Sequence, residues 1–225
     1  MSFGFPELAA IRLGFGLSPL MPPPADVEAV LAGPASAGPG PEAMTTEKAS
    51  AFATRFRELR LARREERPEP PEGQEAERRL GELPVEGLRL RVIRALDDPI
   101  GFGERLVQFW ADHFTVRATD KMNNALALAF VDEAIRPHVN GRFEDMFLAA
   151  DTHPMMLVYL DQISSRGPGS PVARRRPDRH FGLNENLARE ALELHSLGVG
   201  AGYDQKDVRE LAKLLTGLSF SHQAG

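Results

Sequence analysis

Residues 182–204 read GLNENLAREALELHSLGVGAGYD. At about 100° per residue, Leu183, Leu187, Ala191 and Leu194 share one side of a helix, an apolar stripe that needs a core to face. Glu185, Arg189 and Glu193 run along another side, so Arg189 lies one turn from two carboxylates and can pair with each. Asn186 and Glu190 form a further one-turn pair beside them. Asn184 is placed to cap the helix, since its side chain can accept from an N–H two or three residues on. Gly198-Val199-Gly200 ends it, as glycine does just past a helix terminus. The pattern predicts a helix over 183–197.

Working outward, the same helical period recurs. It predicts helices over 101–117, 123–136, 141–151, 153–162 and 204–217. Nearer the start it predicts short helices over 7–13 and 26–31, a long charged helix over 45–66, and one over 88–96. Two Pro/Gly-rich stretches, GPASAGPGP at 33–41 and RPEPPEG at 67–73, read as breaks. No segment alternates with period two. The expected fold class is therefore all-α: an irregular multi-helix bundle with Pro/Gly-rich N-terminal linkers. The expected organisation is one helical domain over 1–225, with a flexible insert at 33–84 and an Arg-rich loop at 164–181.

With 42% hydrophobic and 26% charged residues, the 225-residue chain has globular composition. Its formal charge of -5 argues against a nucleic-acid partner, and the cluster Arg174, Arg175, Arg176 and Arg179 lacks interleaved aromatics. No run approaches the ~18 apolar residues that span a bilayer. The N-terminus lacks a basic segment followed by an apolar one, so a cytoplasmic location is the default expectation. The absence of cysteine excludes disulfides, a cysteine nucleophile and thiolate metal sites.

The helix at 183–197 concentrates Asn184, Glu185, Asn186, Arg189, Glu190, Glu193 and His195. Glu190, Glu193 and His195 are ligand-type side chains, but Glu193 and His195 point roughly 200° apart on a helix, which disfavours a shared ion. The metal and any cofactor stay unknown. A second informative helix, GFGERLVQFWADHFTVR at 101–117, sets His113 in an apolar face with Phe102, Leu106 and Phe109. Glu104, Arg105, Gln108 and Asp112 occupy the other face. His113 reads either as a core histidine bonded to a carbonyl or carboxylate across a helix interface, or as a base or metal ligand opening into a pocket. Asp161 near a helix C-terminus is locally unfavourable and calls for a partner, such as an arginine of the loop that follows.

The blocks RLGFGLSP, QFWADHFTVRATDKM, MMLVYLDQ and GLNENLAREALELHSLGVGAGYDQKDVRELAKLLTG occur in this order along most of the chain outside 33–84. In them the chain resembles the bacterial family called domain of unknown function 1800. The family places an aromatic–His–Phe block, here Trp110, His113 and Phe114, before an Asn-Glu-Asn helix. The resemblance implies a mostly helical fold and no known activity. Leu218 stands where members usually have tryptophan. Members also continue well past the equivalent of Gly225, which implies that a site completed there is partial here.

Two functions are open. In one, His113, Glu190 and Glu193 are catalytic groups of a metal-dependent or carboxylate/histidine hydrolase, with Asn184, Glu185, Asn186 and Arg189 binding substrate. In the other, the same helix is a buried polar network of a non-catalytic binding or assembly protein, whose partner is unknown: another protein or a further C-terminal region. In that network, loss of Glu190 would strand Arg189. The sequence narrowly favours the second. The two differ in geometry, because the enzyme needs these groups around an open cleft and the scaffold needs them mutually satisfied.

Overall fold

The structure is a computed structural model that describes residues 2–167, 169–175 and 182–220. Among these residues every regular element is helical. The α-helices are α1 (Phe5–Arg12), α2 (Val27–Ala32), α3 (Thr46–Arg64), α4 (Pro71–Asp97), α5 (Phe102–His113), α6 (Asn124–Phe130), α7 (Phe143–Thr152), α8 (Pro154–Tyr159), α9 (Pro171–Arg175), α10 (Asn186–Glu193) and α11 (Gln205–Leu215). No helix among the described residues is long and apolar enough to cross a membrane. Of the Arg-rich loop, Arg174 and Arg175 belong to α9, while Arg176 and Arg179 lie outside the described residues.

The main core is formed by α3, α4, α6, α7 and α8 with one end of α5 and α10. Thr45 starts α3 by accepting from the Lys48 N–H, and Ala49, Ala53, Phe56, Leu59 and Ala62 then bury one face. That face packs on Ala76, Leu80 and Leu83 of α4. The stretch 33–84, expected as a flexible insert, thus folds largely as two long helices that supply core. The helix expected only over 88–96 runs instead for 27 residues, straight through Pro84.

Proline inside a helix removes an N–H and frees the carbonyl four residues earlier. Here that carbonyl belongs to Leu80, and the Asn124 side chain donates to it at 2.8 Å. Burial of Leu80 and Leu83 together with this replacement bond explains why the helix survives. The Gly/Pro stretch at 33–41 also has a packing reason. Gly33–Ser36 form a 3-10 turn against α5, and a Cβ on Gly103 would lie 2.7 Å from the Gly33 carbonyl oxygen.

After α6 the chain widens into a π-helical turn, Val131–Ile135. The extra residue per turn turns both members of an acidic pair inward. Asp132 accepts from the Met44 N–H at 2.9 Å and from Arg94 at 3.1 Å, and Glu133 accepts from the Thr46 N–H and hydroxyl at 3.0 and 2.6 Å. Arg136 follows and grips Glu104 through two bonds of 2.5 and 3.0 Å, both side chains being buried. Glu104 therefore does not lie on a solvated face of α5 as its helical position suggested. The buried side of α5 is Gly103, Glu104, Val107 and then Phe114, while Phe109, read as a core residue, is exposed.

Candidate functional site

The helix α10 ends in a loosened turn. The N–H groups of both Leu194 and His195 reach the Glu190 carbonyl, at 2.9 and 2.8 Å. This rotates His195 into the protein and Leu194 out of it. The buried face is Leu187, Ala188 and Ala191, followed by His195, which is only 4% exposed. Leu194, expected in the apolar stripe, is exposed.

His195 meets Asp151 near the end of α7, Nδ1 to Oδ1 at 2.7 Å, and both side chains are buried. A carboxylate accepts, so Nδ1 carries the proton and Nε2 keeps its lone pair. No hydrogen bond engages Nε2 among the described residues. His113 of α5 lies against the same turn, with ring centroids 6.3 Å apart, and its Nε2 is 3.1 Å from the His195 carbonyl. A carbonyl only accepts, so His113 donates through Nε2 and keeps its lone pair on Nδ1. The His113 ring is wedged edge-on between Phe114 and Trp110, at 4.7 and 5.3 Å, which fixes its plane.

A cavity of about 270 Å³ opens beside these groups. His113, His195, Glu190, Asp112 and Tyr159 line it, with Met156 and Leu160 as apolar surface. The Glu190 carboxylate and the Tyr159 hydroxyl have no hydrogen-bond partner among the described residues. Other cavities are larger. One of about 490 Å³ lies between residues 15–24 and the end of α4, one of about 360 Å³ lies over the Glu104–Arg136 pair, and one of about 280 Å³ lies between Pro84, the end of α5 and α6. None of the three is lined by a histidine, so none offers a side chain that exchanges protons near neutrality.

The residues expected to act together divide between two faces. His113 and Glu190 reach the cavity, whereas Glu193 does not line it. Glu193 instead pairs with Arg189 at 3.1 Å, and Glu185 pairs with Arg189 at 3.3 Å. The one-turn ion pairs expected of Arg189 are present, but Arg189 does not depend on Glu190. Glu185 also accepts from Gln205 at 2.7 Å and Arg209 at 3.2 Å, clamping α10 to α11. The Gln205 amide and the two cationic neighbours hold the Glu185 carboxyl below its ordinary pKa.

The helix starts later than expected, with Glu185 as its N-cap, and Asn184 precedes the cap, its Oδ1 accepting from the Asn186 N–H at 2.9 Å. Its amide donates to the Leu160 and Asp161 carbonyls at 3.1 and 3.0 Å, which fastens α10 to the end of α8. Asn186 is exposed. Asp161 finds no arginine partner among the described residues. Its backbone is left-handed, with φ of 55°, and its carbonyl serves Asn184.

Sequence reasoning missed Asp151, which lies 44 residues from His195 with no spacing to link them. It also missed Tyr159. Among the described residues no set of three His, Asp or Glu side chains converges in a way that would hold a metal ion.

No curated protein and no solved structure matches the chain. A family model does, over residues 9–225, and on that match the chain belongs to the family described as Protein of unknown function (DUF1800).

Proposed function

We propose that the protein is a hydrolase in which His195, oriented by Asp151, acts as general base on a water molecule in the cavity. The observation that carries this reading is the buried Asp151–His195 pair, whose free Nε2 belongs to a cavity-lining ring. A carboxylate on Nδ1 selects the tautomer that can accept a proton at Nε2 and stabilises the imidazolium that results. Water is the nucleophile, because the nearby serine and threonine hydroxyls are committed: Ser196 donates to the Ala191 carbonyl and Thr115 to that of Asp112.

In the step, Nε2 takes a proton from water as its oxygen bonds to the substrate carbonyl carbon. The imidazolium then returns the proton to the leaving oxygen as the carbon–oxygen bond breaks. The Tyr159 hydroxyl is the free O–H donor available to the developing oxyanion. His113 is a positioning residue, holding the His195 backbone through its carbonyl.

The test is turnover of short-chain p-nitrophenyl esters by the purified chain. His195→Gln should lower kcat by at least about 100-fold in a chain that still unfolds cooperatively, and Asp151→Asn should lower it by a similar order. Turnover that survives both substitutions would overturn the assignment of the base.

The non-catalytic reading keeps one observation of its own. Glu185, Arg189, Glu193, Gln205 and Arg209 satisfy one another across α10 and α11, as a purely architectural network does. It would be favoured by a chain that turns over no ester.

A further inference from the structure

The charge of the cavity is one-sided. Glu190 and Asp112 contribute carboxylates to the lining, and no lysine or arginine lines it among the described residues. Arg189, next in sequence to Glu190, is turned away and spent on Glu185, Glu193 and Gln205. Glu190 is half-buried, and its carboxylate has no counter-ion among the described residues. An unpaired carboxylate in a partly desolvated cavity is costly unless a cation comes to it.

A second, independent feature points to a ligand at the same place. His195 is nine-tenths buried, yet its Nε2 is unpartnered where the ring borders the cavity. Apart from Thr115, the remaining lining, Met156, Leu160, Leu194 and the Tyr159 ring, is apolar and aromatic, suited to an alkyl chain and to the face of a cation.

We infer that the cavity binds a small organic cation, a primary ammonium on a short alkyl chain, with Glu190 as its principal counter-charge and Asp112 as the outer one. Resting on the hydrolase reading, this makes the substrate an ester or related acyl compound that carries an ammonium group. An anionic substrate is disfavoured by the same two carboxylates.

Two measurements separate the two ideas. First, hexylammonium, hexanol and hexanoate are titrated calorimetrically into the chain. Hexylammonium should bind at least about ten-fold more tightly than either of the others, as expected of a charge-assisted hydrogen bond. Glu190→Gln should remove most of that preference, and the exposed Asp112→Asn should reduce it by a smaller factor. Equal binding of the three, or tighter hexanoate, overturns the cation site.

Second, p-nitrophenyl 6-aminohexanoate is compared with p-nitrophenyl hexanoate. The ratio of their kcat/KM values should favour the ammonium ester and collapse towards one in Glu190→Gln. Ammonium binding without turnover of either ester removes the hydrolase reading and leaves the cation site standing. Turnover of both esters with no preference removes the cation site and leaves the hydrolase reading.

Discussion

Two glutamates of this fold carry opposite energetic meanings. Glu104 sits on a helix face that the sequence assigns to solvent, yet it is buried and bonded through both oxygens to buried Arg136. Glu190 sits in the most conspicuous polar helix of the chain, yet its carboxylate holds no partner among the described residues. Removing Glu104 leaves a guanidinium in the core with only Asp132, at 3.2 Å, and the Ala37 carbonyl, at 3.1 Å. Glu104→Ala should therefore cost about 3 kcal/mol, the low end for a broken buried pair because Asp132 remains. Glu190→Ala should change stability by less than about 0.5 kcal/mol, because it strands no cation. Urea unfolding of both variants checks this, and a larger loss for Glu190→Ala would return Glu190 to the buried network in which the sequence placed it. His113 and Glu190, both of which line the cavity, were legible as candidates because helical periodicity and residue type sufficed to mark them. Asp151 was not, since only the tertiary fold brings α7 against the end of α10.

At the scale of elements, the helices from α5 onward were legible except α9, whose residues read as part of the Arg-rich loop, because apolar residues recur at helical spacing and caps mark the boundaries. Asp204 shows this: it accepts from the Lys206 and Asp207 N–H groups at 2.7 and 3.1 Å, at the predicted start of α11. The N-terminal half of α4 was not legible, because Pro71, Gly81, Pro84 and Gly87 all read locally as breaks. What overrides them is tertiary: core burial of Leu80 and Leu83, and the Asn124 amide on the carbonyl that Pro84 leaves open. If that account is right, Asn124→Ala should cost about 1–3 kcal/mol, the cost of an unsatisfied buried carbonyl. In a Pro84→Ala background the alanine N–H can serve Leu80, and the same substitution should cost far less. A double-mutant cycle by denaturant unfolding should yield a coupling above about 1 kcal/mol. Additive losses would show that Asn124 acts through some other contact.

At the scale of the whole molecule, three segments distant in sequence meet at His153. Its Nδ1 accepts from the Met155 N–H at 3.0 Å, capping α8. Its Nε2 lies 3.2 Å from Glu133 of the π-helical turn and 3.4 Å from the Thr46 hydroxyl at the start of α3. The Phe130 ring stands edge-on at 5.3 Å. Burial lowers the imidazole below its ordinary value of 6.5, against the opposing pull of Glu133. The neutral form is the one that fits, because a proton on Nδ1 would abolish the cap. As pH falls through 6.5 the unfolded chain takes up a proton at this position before the folded chain does, so stability is complete above that value and declines below it. The decline ends once pH passes below the folded value. Carboxylates held low by arginine, such as Glu69 and Glu77, act in the same direction but only below their ordinary value of 4.5. The two windows are therefore separable. Denaturant unfolding between pH 5 and pH 8 (about a unit and a half either side of an ordinary imidazole) should show falling stability towards acid in the native chain. His153→Asn keeps an acceptor at the cap but cannot titrate, and its curve should be flatter across that window. Parallel curves for the two proteins would mean that His153 is not the group that couples protonation to the packing of α3, the π-helical turn and α8.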